Sequence, residues 1–186
     1  MGCLSSLCRK IFLGLLSLAK VAISIAIVCI VTIHLYHVQV KNSKVRIGCL
    51  MMGSVKGDSV CEYTYAVCGL SMVLSLVTSL LLCITCNLCG LGDWFEFGIG
   101  AVQTAWWVIA SIIISKNVRD SNAYEFADGS KLPKEGWRNS VAVLAWINSG
   151  IAAVMALIFL FQACKCLKNA CSCCCGDDDD DKFNRV

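Results

Sequence analysis

FGIGAVQTAWWVIASIIIS (residues 97–115) and VAVLAWINSGIAAVMALIFLF (residues 141–161) are two runs without a single charged residue. The segment between them, residues 116–139, holds nine charges and the chain's only proline, Pro133. At about 1.5 Å of rise per residue, an uncharged helix of this length covers the roughly 30 Å hydrocarbon core of a bilayer. A wet loop between two membrane helices accounts for this pattern better than a soluble core does.

Working outward, two more apolar runs complete the pattern. Residues 11–36 are apolar except for Lys20, and residues 64–85 are uncharged. The reading is an all-α, integral membrane, four-helix transmembrane bundle with helices at about residues 11–37, 64–86, 97–115 and 140–163. Flanking it are an acylated cytosolic amino-terminal segment (residues 1–10) and a cysteine-rich acidic cytosolic tail (residues 164–186). Lys20 is expected near the cytosolic interface, its stem buried and its ammonium snorkelling to the headgroups. A buried functional lysine is the alternative. Gly90, Gly92 and Asp93 make the connection between the second and third helices a tight hairpin turn.

Composition agrees. The 186-residue chain is 58% hydrophobic and 16% charged, against roughly 25% charged in an ordinary soluble domain. Too little chain lies outside the spans for a separate soluble module. A net charge of +3 with no Lys/Arg run gives no footprint for nucleic acid. No small-residue cleavage site follows the first apolar run, so that helix is expected to stay as a signal anchor. No Ser/His/Asp, paired-carboxylate or metal constellation stands out. The expectation is therefore a non-enzyme with no cofactor and no metal.

Fifteen cysteines need their own explanation. Gly2 and Ser6 fit an N-myristoylation pattern, and Cys3 beside them is a candidate for palmitoylation. The tail cysteines Cys171, Cys173, Cys174 and Cys175 follow a membrane helix, the usual setting for multiple S-acylation. Cys83, Cys86 and Cys89 resemble part of an iron–sulfur run, but Asp93 stands where the fourth ligand would be. Cys49 and Cys61 lie within the first loop, about residues 38–63. In an oxidising compartment they would close a disulfide; two free thiols are the alternative.

Small residues are candidates for close helix packing: Gly98, Ala101 and Ala105 on the third helix, and Ala145, Ser149 and Ala153 on the fourth. The amides Gln103 and Asn148 are expected to hydrogen-bond across helices. Trp106, Trp107 and Trp146 are read as packing mass.

Four spans put both termini on one side. Lysine and arginine counts slightly favour the first and third loops as the cytosolic side. The cysteines point the other way, because N-myristoylation is cytosolic and the candidate disulfide lies in the opposite loop. We read the termini as cytosolic, in the plasma membrane or in secretory or endosomal vesicles.

Ala105-Trp106-Trp107-Val108-Ile109-Ala110-Ser111, and later Gly136-Trp137-Arg138-Asn139-Ser140-Val141 continuing to Trp146-Ile147-Asn148-Ser149, is similar to the MARVEL-type tetraspan proteins. These include synaptogyrin-like and fungal eisosome-associated members. Arg138 matches the arginine that opens the last helix of that family, and Trp146 with Ser149 matches its aromatic-x-x-Ser step. The amino-terminal acylation signal and the polycysteine tail depart from the family. The resemblance implies a non-enzymatic scaffold that organises membrane domains or vesicle trafficking. Its partners would be the lipid bilayer, other membrane proteins and further copies of itself. The alternatives are an oligomeric pore or channel subunit, with Gln103 and Asn148 lining the path, and a claudin-like junctional adhesion protein.

Overall fold

The structure, a computed structural model, describes residues 2–39, 46–51, 59–84, 91–125, 129 and 131–174. Among the described residues are four helices long and apolar enough to cross a membrane. They are α1 (Gly2–Ile30), α2 (Ser59–Ile84), α3 (Leu91–Ala123) and α4 (Glu135–Cys174). The expected all-α four-helix bundle is what forms, and it is that of a multi-pass membrane protein. α1 packs on α2 and α4, and α3 packs on α2 and, most extensively, on α4. The helices thus close a ring.

The apolar residues that would be anomalous on a soluble protein lie on the outside. Ile11, Leu15, Leu18 and Ile25 of α1, Val73 and Leu80 of α2, and Val143 and Phe161 of α4 are all exposed. In water, patches of this extent are rare on monomers. In lipid they need no cover.

Every helix differs from its sequence-based limits. α1 begins at Gly2 and runs through a π-helical turn, Val31–Leu35. α2 begins at Ser59, so Cys61 and Tyr63 lie on a helix rather than in the loop. α3 spans 33 residues and α4 spans 40. For α3 the reason is visible: charge marks where the hydrocarbon ends, whereas the helix continues as long as its inner face stays covered. Beyond Ser115, Val118 and Ser121 remain buried although Lys116, Arg119 and Asp120 are charged. Residues 91–96, expected as turn, are already the first turns of α3.

The first loop carries a two-stranded antiparallel ribbon that the sequence pattern does not announce. β1 (Tyr36–Gln39) pairs with β2 (Arg46–Cys49), with Tyr36 opposite Cys49 and Val38 opposite Ile47. Cys49, at the end of β2, is bonded to Cys61 in the first turn of α2, with Cα atoms 5.9 Å apart. Both half-cystines are buried, as are Leu50 and Met51. The Leu50 amide donates to the Leu35 carbonyl at 2.9 Å. The ribbon and the disulfide together tie the loop-side end of α1 to that of α2.

The bridge closes a loop of 12 residues, for which chain entropy gives about 3 kcal/mol of stabilisation. The double variant Cys49→Ser/Cys61→Ser is expected to lose that amount in reversible unfolding from micelles. Reductant should produce the same loss in the parent protein and no further loss in the variant.

Candidate functional site: a polar centre within the bundle

In the absence of water, a buried polar side chain must find its partner within the protein. Lys20 lies near the middle of the span Arg9–Leu35 and is fully buried. Its Nζ donates to Oε1 of Gln103 at 2.6 Å, joining α1 to α3 across the bundle. Gln103, itself buried, turns its amide towards α2. Nε2 donates to the Ser71 carbonyl and to Ser75 Oγ, each at 3.4 Å. Ser71 Oγ accepts from the indole N–H of the fully buried Trp107 at 2.9 Å. One turn further along α1, Ser24 Oγ accepts from Asn148 Nδ2 of α4 at 3.4 Å. One polar cluster thus joins α1, α2 and α3, and the Ser24–Asn148 bond one turn away adds α4.

The interface position expected for Lys20 is overturned. The span runs Arg9–Leu35, which puts Lys20 about 15 Å past Lys10, and its ammonium is bonded to Gln103 inside the bundle rather than turned to the headgroups. A lone lysine at the centre of a membrane helix costs roughly 2.5–3.5 kcal/mol on insertion scales, and such residues face the bundle interior. The expected cross-helix bonds of Gln103 and Asn148 both form. Asn148 Oδ1, however, is buried with no partner, as are Ser111 Oγ and Gln162 Nε2.

The other packing residues divide. Ala145 and Ser149 are buried and Ala101 and Ala153 half-buried, but Ala105 is exposed and a Cβ on Gly98 would meet nothing within 4 Å. Gly98 and Ala105 lie on the outward stripe of α3, a face that spacing alone does not reveal. The close approach occurs at Gly100, where a Cβ would lie 3.2 Å from Phe159 Cδ2 and 3.4 Å from Ala156 Cα. Trp107 is packing mass, and Trp106 is half-buried. Trp146 is exposed, and its N–H donates to Ser115 Oγ at 2.9 Å.

Sequence reasoning missed Ser17, Ser24, Ser71 and Ser75, and the buried Glu96 that it placed in a loop. The available signal was spacing: Ser17, Lys20 and Ser24 recur at three and four residues, and Ser71, Ser75 and Ser79 at four and four. Recurrence at that period puts polar groups on one helix face.

At the loop-side end, Arg138 is buried with its guanidinium spread over neutral acceptors. It donates to Asn122 Oδ1 at 2.7 Å and to the carbonyls of Pro133 at 2.6 Å and Leu132 at 3.2 Å. This holds the turn between α3 and α4 closed. His34 of the π-helical turn stacks on Trp137 of α4, with ring centroids 4.0 Å apart and planes at 10°.

Of the acylation candidates, Gly2 and Cys3 lie at the start of α1, and Cys171, Cys173 and Cys174 in the last turns of α4. Cys175, Cys86 and Cys89 fall outside the described residues.

The fold and the polar centre define an all-α, multi-pass membrane protein with a disulfide-stapled end. No protein-family model, curated protein or solved structure matches the chain.

The Lys20–Gln103 bond makes the two residues interdependent. Gln103→Leu strips the ammonium of its acceptor and is expected to destabilise the bundle by about 1–3 kcal/mol. Lys20→Met removes the buried charge but leaves Gln103 Oε1 without its donor, so it should cost less than Gln103→Leu without being neutral. In the double variant most of the Gln103→Leu penalty should disappear, as read from unfolding midpoints in micelles.

Proposed function

We propose that this is a non-enzymatic tetraspan protein of MARVEL type that organises membrane domains or vesicle membranes. The observation that carries the reading is the use made of polar side chains. Lys20, Gln103, Ser71, Ser75, Ser24 and Asn148 are spent on bonds from helix to helix, while the outward faces are apolar. That is the construction of a body whose interactions are lateral, with lipid, with other membrane proteins and with further copies. Arg138, at the start of the last helix, and the Trp146–Ser149 step support the family assignment by resemblance. With Gly2, Cys3, Cys171, Cys173, Cys174 and Cys175 acylated, the termini are cytosolic and saturated chains recruit the bundle to thick, ordered bilayer. The reading places it in the plasma membrane or in secretory or endosomal vesicles.

A second reading, an oligomeric pore, is favoured by one observation: Lys20, Gln103 and Asn148 lie buried within the bundle, and Asn148 Oδ1 has no partner.

Three measurements on protein from a eukaryotic membrane separate these readings. Hydroxylamine should lower the intact mass by several palmitoyl increments. In phase-separated vesicles the untreated protein should enrich in the ordered phase and the treated protein should not. Reconstituted liposomes should show ion and proton flux no greater than protein-free ones. Flux that Lys20→Met alters would instead establish the pore.

A further inference from the structure

In this bundle Thr32, Thr64, Thr78, Ser79, Thr104 and Ser140 each donate to the carbonyl four residues before, at 2.8 or 2.9 Å. A helical hydroxyl away from water is ordinarily satisfied in this way. Ser111 departs from the pattern. It is fully buried in α3, and its Oγ has no partner on its own helix or on any other described element.

The helix facing it carries a second such atom. Asn148 of α4 is fully buried, and its Nδ2 donates to Ser24 Oγ of α1 at 3.4 Å, but its Oδ1 has no partner. The register of the antiparallel α3–α4 pair brings the two together. Trp146 donates to Ser115 Oγ at 2.9 Å, and Gly100 lies against Ala156 and Phe159. Four residues back from Ser115 and four on from Trp146, Ser111 is level with Gly150. Asn148 is two residues from that level, about 3 Å along the axis. Both side chains lie on inward stripes: Trp107 and Ile114 flank Ser111 at helical spacing, and Ala145 and Ala152 flank Asn148, all of them buried. Since neither atom has a partner, the two stand beyond direct hydrogen-bond reach of each other.

Their chemistry defines what joins them. Asn148 Oδ1 only accepts, while the Ser111 hydroxyl donates once and also accepts. With the amide turned over, Ser24 donates to Oδ1 and Nδ2 becomes the unpartnered atom, which needs an acceptor. A small ligand that both donates and accepts serves either orientation. A cation is disfavoured by Lys20, one turn before Ser24 on α1. An anion would face the amide oxygen. We propose that one water molecule bridges Ser111 and Asn148, so that Ser24, Asn148, the water and Ser111 link α1 through α4 to α3. Buried waters typically make about three hydrogen bonds to groups otherwise unpaired. This water is separate from the Lys20–Gln103 bond, because Gln103 is eight residues from Ser111, about 12 Å along α3. On the loop side it meets the apolar layer of Ile27, Val31, Ile114 and Val118. It is therefore an isolated link between helices, unlike the continuous file that a pore requires.

The test uses the full chain, isotope-labelled, in lipid bilayers, with magnetisation transferred from water to protein in solid-state NMR. Asn148 Cγ and Ser111 Cβ should receive it at short mixing times, ahead of Ile27, Val31 and Ile114. Ser111→Ala removes one partner of the water and should lower the Asn148 signal about fivefold, the loss expected from one hydrogen bond. Retention of the Cys49–Cys61 bond and of the elution volume reports that the variant is folded, and the measurement on the parent chain decides without it. Transfer to Asn148 no earlier than to Ile114, or transfer undiminished in folded Ser111→Ala, would overturn the assignment. So would early transfer that runs on without a break through Ile27 and Val31, the signature of a water-filled pore.

Discussion

A hydrocarbon interior supplies no hydrogen-bond partners, and the arrangement of this bundle follows from that. Lys20 is the most demanding group it buries. An ammonium near mid-span has to be met by an acceptor from another helix, and Gln103 is the side chain that meets it at 2.6 Å. Once that bond is made, the rotation of α1 and α3 about their axes is set. Gln103 then turns to Ser71 and Ser75, which sets α2, while Ser24 and Asn148 bring in α4. Apolar packing fills the space between, as where Gly100 admits Phe159 and Ala156. In lipid such packing has no water to escape, so it cannot by itself choose a register. The polar cluster chooses it.

The two ends of the bundle are held differently. On the loop side, the disulfide, the ribbon, the Arg138 clasp and the His34–Trp137 stack all lie within one region. The disulfide is covalent and the Arg138 clasp charge-assisted, and both hold in water. In the half of the bundle nearer the termini, the α1–α2 contact includes serine pairs and leaves a groove.

The membrane character and the number of helices were legible in the sequence because charge-free runs of about twenty residues have few other uses. The Cys49–Cys61 pairing was legible as one of two options, since both residues fall in one loop. The depth of Lys20 was not. A single charge inside an apolar run reads equally as a border or as an interior group, and only its burial and its bond to Gln103 decide between them. Nor could small-residue spacing tell Ala145, which is buried, from Ala105, which is exposed. Both occur at the right period, and the period alone does not say which face is inward. Ser71 and Ser75 were passed over because serine is common in membrane helices and gains meaning only when its neighbour is known.

The unbroken length of α4 has a mechanical consequence. Its 40 residues make a rod of about 60 Å, and the chain's only proline precedes it. Cys174 lies thirteen residues beyond Phe161, about 20 Å of helix, so the cysteine-bearing end is a stalk continuous with the membrane span. Asn148 and Gln162 are carried on the same continuous helix, so a force applied at Cys174 acts on a lever that reaches the core of the bundle.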